Sequence, residues 1–131
     1  MTTTVKEKRD ILVVDDEDNI RNSLFDILSE EGYNVKAVDG STSALKEIEI
    51  KEPHVIITDI RMSTSKDGLK LLQHVKNNYP DIKTIIMTGY GEAESYLDAK
   101  IKGAYGYLVK PFNILVLKRM VADALKSTYD N

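Results

Sequence analysis

Cysteine is absent from the 131 residues, which excludes disulfides, thiolate nucleophiles and cysteine-ligated metal sites. No apolar run approaches the length a bilayer crossing needs. Met1 to Asp10 is polar and charged, where a secretory signal needs an apolar stretch. With nothing to route the chain elsewhere, a cytoplasmic location and no membrane contact are expected. The net charge is −3, and no basic cluster is long enough to track a phosphate backbone, so direct nucleic-acid binding is not expected. Linkers, low-complexity tracts and long-period repeats are also missing. What remains is 42% apolar and 30% charged, the composition and size of one globular domain with one core. The expected boundaries are a flexible segment over residues 1–9, the domain over 10–128 and a tail over 129–131. A stand-alone protein, a relay element and a part of a longer protein all fit this reading.

Five short apolar runs rich in β-branched residues alternate with helix-like segments. The runs are Ile11–Val14, Val35–Val38, Val55–Thr58, Thr84–Met87 and Tyr105–Val109. Near-continuous apolar character suits strands of a parallel sheet covered on both faces. Periodicity alone leaves the middle three open to a buried-helix reading; their shortness and Val/Ile content favour strand. Ile20, Leu24, Ile27 and Leu28 form the stripe of an amphipathic helix, and Gly32 supplies a left-handed stop. Ala44, Leu45 and Ile48 mark a second helix, ended before Pro53. Leu69, Leu72 and Val75 mark a third, with Pro80 behind it. Ala93, Tyr96 and Leu97 mark a fourth, closed by Gly103, and Leu117, Val121, Ala124 and Leu125 mark a fifth. This strict alternation predicts an α/β fold, a five-stranded parallel sheet with five helices on both faces and right-handed crossovers.

In such sheets ligands bind beyond the carboxyl ends of the strands. The first strand ends in Asp15-Asp16, the third in Asp59, the fourth in Thr88-Gly89 and the fifth in Lys110-Pro111. The second ends in Asp39-Gly40, which reads as a turn. Gathering Asp15, Asp16 and Asp59 at one edge sets three carboxylates against each other, each raising its neighbours' pKa. A divalent cation resolves this, and an all-oxygen donor set suits Mg²⁺. Lys110 adds a compact charge for a phosphate oxygen and Thr88 a hydroxyl donor. Together they form an electrostatic cradle for phosphoryl transfer, with Asp59 as the nucleophile that forms an acyl phosphate. Each part has a plain alternative. An acidic run is often a solvated loop or helix start, a lone Asp after a strand a turn or cap, and Thr-Gly a loop dipeptide. All four at the right strand ends are hard to assemble by chance.

These residues resemble the receiver domain of two-component response regulators, from about Ile11 to about Leu125. The matching positions are Asp15-Asp16, Asp59 in Thr-Asp-Ile-Arg-Met, Thr88 in Met-Thr-Gly-Tyr-Gly and Lys110 in Tyr-Leu-Val-Lys-Pro-Phe. The resemblance implies a flavodoxin-like strand order 2-1-3-4-5. It implies a phosphoryl group received at Asp59 from a sensor histidine kinase or phosphotransfer protein. The only chemistry implied is the chain's own phosphorylation and dephosphorylation, so it is not expected to be an enzyme acting on other substrates. The resemblance further implies Mg²⁺ held by Asp16, Asp59 and the Arg61 carbonyl, with Asp15 helping directly or through water. Lys110 pairs with the phosphoryl oxygens, from a Lys-Pro peptide that is typically cis in the family. Thr88 moves towards the phosphoryl group and Tyr107 turns inward, a switch read by an output partner on the fourth-helix, fifth-strand and fifth-helix face. Without the resemblance, Tyr107 reads as an ordinary half-buried strand tyrosine.

One departure stands out. The family places a glycine eight residues after the acceptor; here Gly68 is nine residues after Asp59, and Ser63 replaces a proline, so the Ser63–Asp67 loop is longer and less rigid. Tyr90 stands where a side chain shields a bound phosphate, and Glu92, Glu94 and Asp98 read as a solvated face. His54 and His74 have no second histidine at ligand spacing and are expected at the surface. A haloacid-dehalogenase-type phosphatase is a rival reading, but its acid, two residues after the nucleophile, is here Arg61. A phosphate-independent interaction module on the same fold is the other rival, which intact Asp59 and Lys110 oppose.

Overall fold

The computed structural model describes residues 8–60, 67–89 and 103–129 of the chain. Five strands are present there: β1 (Asp10–Val14), β2 (Asn34–Val38), β3 (Val55–Asp59), β4 (Lys83–Thr88) and β5 (Gly106–Val109). The described helices are α1 (Asp18–Glu30), α2 (Ser41–Ile50), α3 (Asp67–Asn78) and α4 (Ile114–Tyr129). The helix expected around Ala93, Tyr96 and Leu97 lies outside the described residues, so α4 is the fifth helix of the sequence reading. All strand pairs are parallel, in the order β2-β1-β3-β4-β5. No helix among the described residues is long and apolar enough to cross a membrane.

The strands are apolar along their length because both faces are covered. Ile11, Val13, Val55, Ile57, Ile85 and Met87 pack against Leu24 and Leu28 of α1 and Leu117, Val121, Ala124 and Leu125 of α4. Alternate residues Leu12, Val14 and Ile56 point the other way, onto Ala44 and Ile48 of α2 and Leu71 and Val75 of α3. A smaller cluster of Ile60, Leu69, Leu72 and Ile86 carries Tyr107 on its margin. The ends of the elements follow local chemistry. After α1, Gly32 takes φ 95°, its N–H donates to Ser29 O at 3.0 Å and the Tyr33 N–H donates to Leu28 O. That double bond is the Schellman pattern, which a left-handed glycine permits. Gly106 opens β5 because a Cβ there would lie 2.7 Å from the Met120 Sδ.

At the amino ends of the strands, Arg9 is held by its carbonyl, which accepts from Asn34 N at 2.8 Å, and its guanidinium donates to Leu125 O. His54 departs from expectation. It is half-buried, and its Nδ1 accepts the Asp10 N–H at 3.0 Å, pinning β3 to β1. His74 is exposed, as expected.

Candidate functional site

At the opposite ends of the strands, ladder hydrogen bonds run one residue past each strand and hold the backbone of the chemistry-bearing positions. Asp15 N–H donates to Val38 O at 3.1 Å, Ile60 N–H to Met87 O at 3.0 Å and Lys110 N–H to Thr88 O at 2.8 Å. The side chains at these positions therefore project from a rigid edge.

Carboxylate oxygens of Asp15, Asp16 and Asp59 all lie within 4.8 Å of one another. At that separation two ionised carboxylates repel by on the order of 3 kcal/mol in a medium of effective dielectric 20. Lys110 reaches across from β5, with Nζ 2.5 Å from Asp59 Oδ2 and 3.4 Å from Asp15 Oδ2. One ammonium does not offset three carboxylates, so the cluster has a deficit of positive charge. Burial acts first on Asp15, whose side chain is fully enclosed. It raises the carboxyl above its ordinary range, and the Asp59 charge adds to the rise despite the opposing Glu17 N–H and Lys110. Burial also opposes the charge on Lys110, but its bonds to Asp59 and Asp15 outweigh that and raise its pKa. The three acids differ in access: Asp15 is buried, Asp59 retains 13% of its side-chain surface and Asp16 is exposed.

The loop after β1 is organised by its own side chains. Asp15 Oδ1 accepts the Glu17 N–H at 2.8 Å, an Asx-type turn that points the next residue outward. Arg21, on α1, donates to the Asp15 carbonyl at 2.9 Å and to Asp18 Oδ1 at 2.5 Å. Arg21 was not among the residues expected from sequence; its only signal there is the i, i+3 spacing from Asp18.

Thr88 is buried at the end of β4. Tyr107 is half-buried and pairs with Ile86, two residues before Thr88 on the same face of the strand. Gly68, on the first turn of α3, lies against the end of β3. Its N–H donates to Ile60 O at 3.0 Å, and a Cβ added there would fall 1.9 Å from Asp59 O. The longer loop thus still returns its glycine to the Asp59 backbone. The Lys110–Pro111 peptide is cis. Arg61, the Ser63–Lys66 part of the loop, Tyr90, Glu92, Glu94 and Asp98 lie outside the described residues.

Comparison with known proteins agrees with this geometry. The family model of the response regulator receiver domain matches residues 11–122. An NtrX-like response regulator of Rickettsia bellii is 43% identical over 115 residues, 84% of this chain and 24% of that protein. The nitrogen assimilation regulatory protein NtrX of Azorhizobium caulinodans is 38% identical, over 89% of this chain and 27% of its own length. The chain thus spans about a quarter of the length of these curated relatives. Among solved structures, the receiver domain of NtrX from Brucella abortus superposes with a TM-score of 0.84 at 36% identity, over 88% of this chain and 98% of that one. The beryllofluoride-activated NtrC4 receiver domain gives 0.83 at 35% identity, over 91% and 98%.

Proposed function

The chain belongs to the response regulator receiver domain family, the phosphoacceptor modules of two-component systems, and from that membership we propose that Asp59 is the residue that takes the phosphoryl group. The observation that carries the proposal is the convergence of Asp15, Asp16 and Asp59 within 4.8 Å, with Lys110 bonded to Asp59 across 51 residues of sequence.

The donor is a phosphohistidine of a sensor kinase or phosphotransfer protein. An Asp59 carboxylate oxygen attacks phosphorus, the P–N bond breaks and its electron pair stays on the histidine ring. Lys110 begins bonded to Asp59, which keeps the acceptor oriented, and transfers its hydrogen bonding to the phosphoryl oxygens as they arrive. Asp15 and Asp16, with the Arg61 carbonyl the resemblance adds, complete an all-oxygen donor set suited to Mg²⁺. When bound, that ion supplies the positive charge the cluster lacks against the incoming phosphoryl oxygens. Asp15 holds the loop through the Glu17 N–H, and Asp16 would offer its carboxylate to the ion from the solvent side.

Thr88 then turns its hydroxyl to the phosphoryl group, and Tyr107 moves into the space beside it. Their placement one diagonal step apart on the same sheet face supports that coupling. The output surface is β5 and the start of α4, where Val109, Ile114, Leu115 and Val116 are all about half exposed or more. The relatives are regulators roughly four times longer than this chain, so the output itself resides in segments or partners beyond the receiver.

Acetyl phosphate with and without Mg²⁺, followed by intact mass, tests this. One phosphoryl adduct is expected, dependent on Mg²⁺ and absent in Asp59→Ala. An adduct that survives in Asp59→Ala overturns the assignment.

A further inference from the structure

We propose that Arg21 is a positioning residue for the cation site, tying the Asp15 carbonyl at the end of β1 to the first turn of α1 so that the Asp16 carboxylate stays beside Asp15 and Asp59. The inference rests on the reading of those acids as the cation's donors.

Arg21 spans the loop with a single planar group. One guanidinium nitrogen bonds the Asp15 carbonyl at 2.9 Å and the other the Asp18 carboxylate at 2.5 Å. The Arg21 side chain is only 19% exposed, so its fork is held in place by the surface around it. Asp16 directly follows the Asp15 carbonyl that Arg21 holds, so the backbone from which its carboxylate projects is fixed there. The bond to the Asp15 carbonyl sets the backbone immediately before Asp16, and the bond to Asp18, three residues earlier on the same helix, aims the guanidinium at that carbonyl.

Two effects of Arg21 on a bound cation oppose each other. Its charge repels a cation, whereas its bonds preorganise the donors. The repulsion is reduced because Asp18 neutralises the guanidinium, and salt screens what remains beyond about 8 Å at physiological strength. Groups that orient metal ligands typically change affinity by about 10- to 100-fold. Preorganisation therefore wins, and removing Arg21 weakens cation binding although it removes a positive charge.

The test is a Mg²⁺ titration of the full chain followed by amide NMR shifts, with the melting temperature of the metal-free protein measured alongside. Arg21→Ala is expected to raise the Mg²⁺ Kd by about 10- to 100-fold. Arg21→Lys is expected to side with it, because an ammonium keeps the charge but cannot hold both points as the fork does. Unchanged or tighter binding in Arg21→Ala, or a lowered melting temperature with an unchanged Kd, overturns the clamp. Should Arg21→Ala fail to fold, Asp18→Ala removes the guanidinium's second anchor at an exposed position, where the side chain is 78% accessible. It is expected to weaken Mg²⁺ binding more than Glu17→Gln, which removes an exposed charge nearby and leaves the Arg21–Asp18 bond in place, and an equal effect of the two overturns the proposal. A wild-type protein that binds no Mg²⁺ sinks the cation site itself; a wild type that binds, with variants that match it, sinks the clamp alone.

Discussion

Gly68 shows how one residue without a side chain bears on the backbone of Asp59. A Cβ there would meet Asp59 O at 1.9 Å and Ile60 Cα at 2.8 Å, both backbone atoms that move only with β3. Alanine in a helix interior gains about 0.8–1 kcal/mol over glycine, but overpacking of this kind costs about 1–3 kcal/mol, so the clash decides. Gly68→Ala is expected to lower unfolding stability by up to about 2 kcal/mol, the balance of those two effects, and to slow acetyl phosphate labelling of Asp59. Urea unfolding and intact-mass time courses check the two parts, and a variant as stable and reactive as wild type would show that β3 can yield. The sequence identified Gly68 by its distance from Asp59, nine residues in place of eight. It did not disclose the contact, because the spacing of residues along a loop does not determine where the loop returns. Arg21 was illegible for the same reason: its partners are a carbonyl and an exposed acid whose positions depend on how the loop turns.

Among the elements, α4 depends most on a residue that hydrophobic periodicity could not point to. Asn113 Oδ1 accepts the N–H groups of Leu115 at 2.8 Å and Val116 at 3.2 Å, capping the helix directly after the Lys110–Pro111 turn. Those N–H groups have no partner within the helix. Replacing Asn113 with alanine is expected to cost about 1 kcal/mol, whereas Asn113→Asp, also a good cap and favourable to the helix dipole, is expected to cost little. Urea midpoints of the two variants check this, and equal losses would argue against capping. The stripe of Leu117, Val121, Ala124 and Leu125 marked α4 in sequence because burial on one face imposes its period. Its first turn carries exposed Ile114, Leu115 and Val116, which blur that period where the helix begins. α3 shows the converse, since buried Leu71 belongs with Val75 although only Leu69, Leu72 and Val75 stood out in sequence.

On the scale of the whole molecule, the end of the sheet away from the site carries a polar network that ties three strands and a helix together. Asp10, with a side chain 12% exposed, accepts from Asn34 Nδ2 at 2.6 Å and pairs with Lys51 at 3.1 Å, while its N–H bonds His54. Burial by itself would raise the Asp10 carboxyl; the bonds from Asn34 and Lys51 and the charge of Lys51 oppose it, and the pKa is held below its ordinary value. A carboxyl whose pKa falls on folding stabilises the protein above its unfolded value and loses that contribution as the pH drops through the folded value. Stability is therefore expected to fall as the pH drops below about 4, the ordinary carboxylate range. Asp10→Asn is expected to flatten that acid limb and to cost about 1 kcal/mol at neutral pH. Urea unfolding at a series of pH values checks both, and an acid limb of unchanged slope would exclude Asp10 as its source. Nothing in the sequence marked this network, because Asp10, Asn34, Lys51 and His54 are single polar residues with no pattern among them.

Alternation of apolar runs and amphipathic stripes determined the parallel sheet, its two covered faces and the helices, since burial imposes a period that can be read residue by residue. Strand ends followed from the same runs, which is why Asp15, Asp16, Asp59, Thr88 and Lys110 were legible as a group before any coordinates. Tertiary structure alone decided how near those groups approach, which of the acids is buried, and that Lys110 rests on Asp59. It also decided the contacts of Arg21, Gly68 and Asp10. Distances and partners of this kind arise from loop paths and packing between elements far apart in the chain, and no local pattern encodes them.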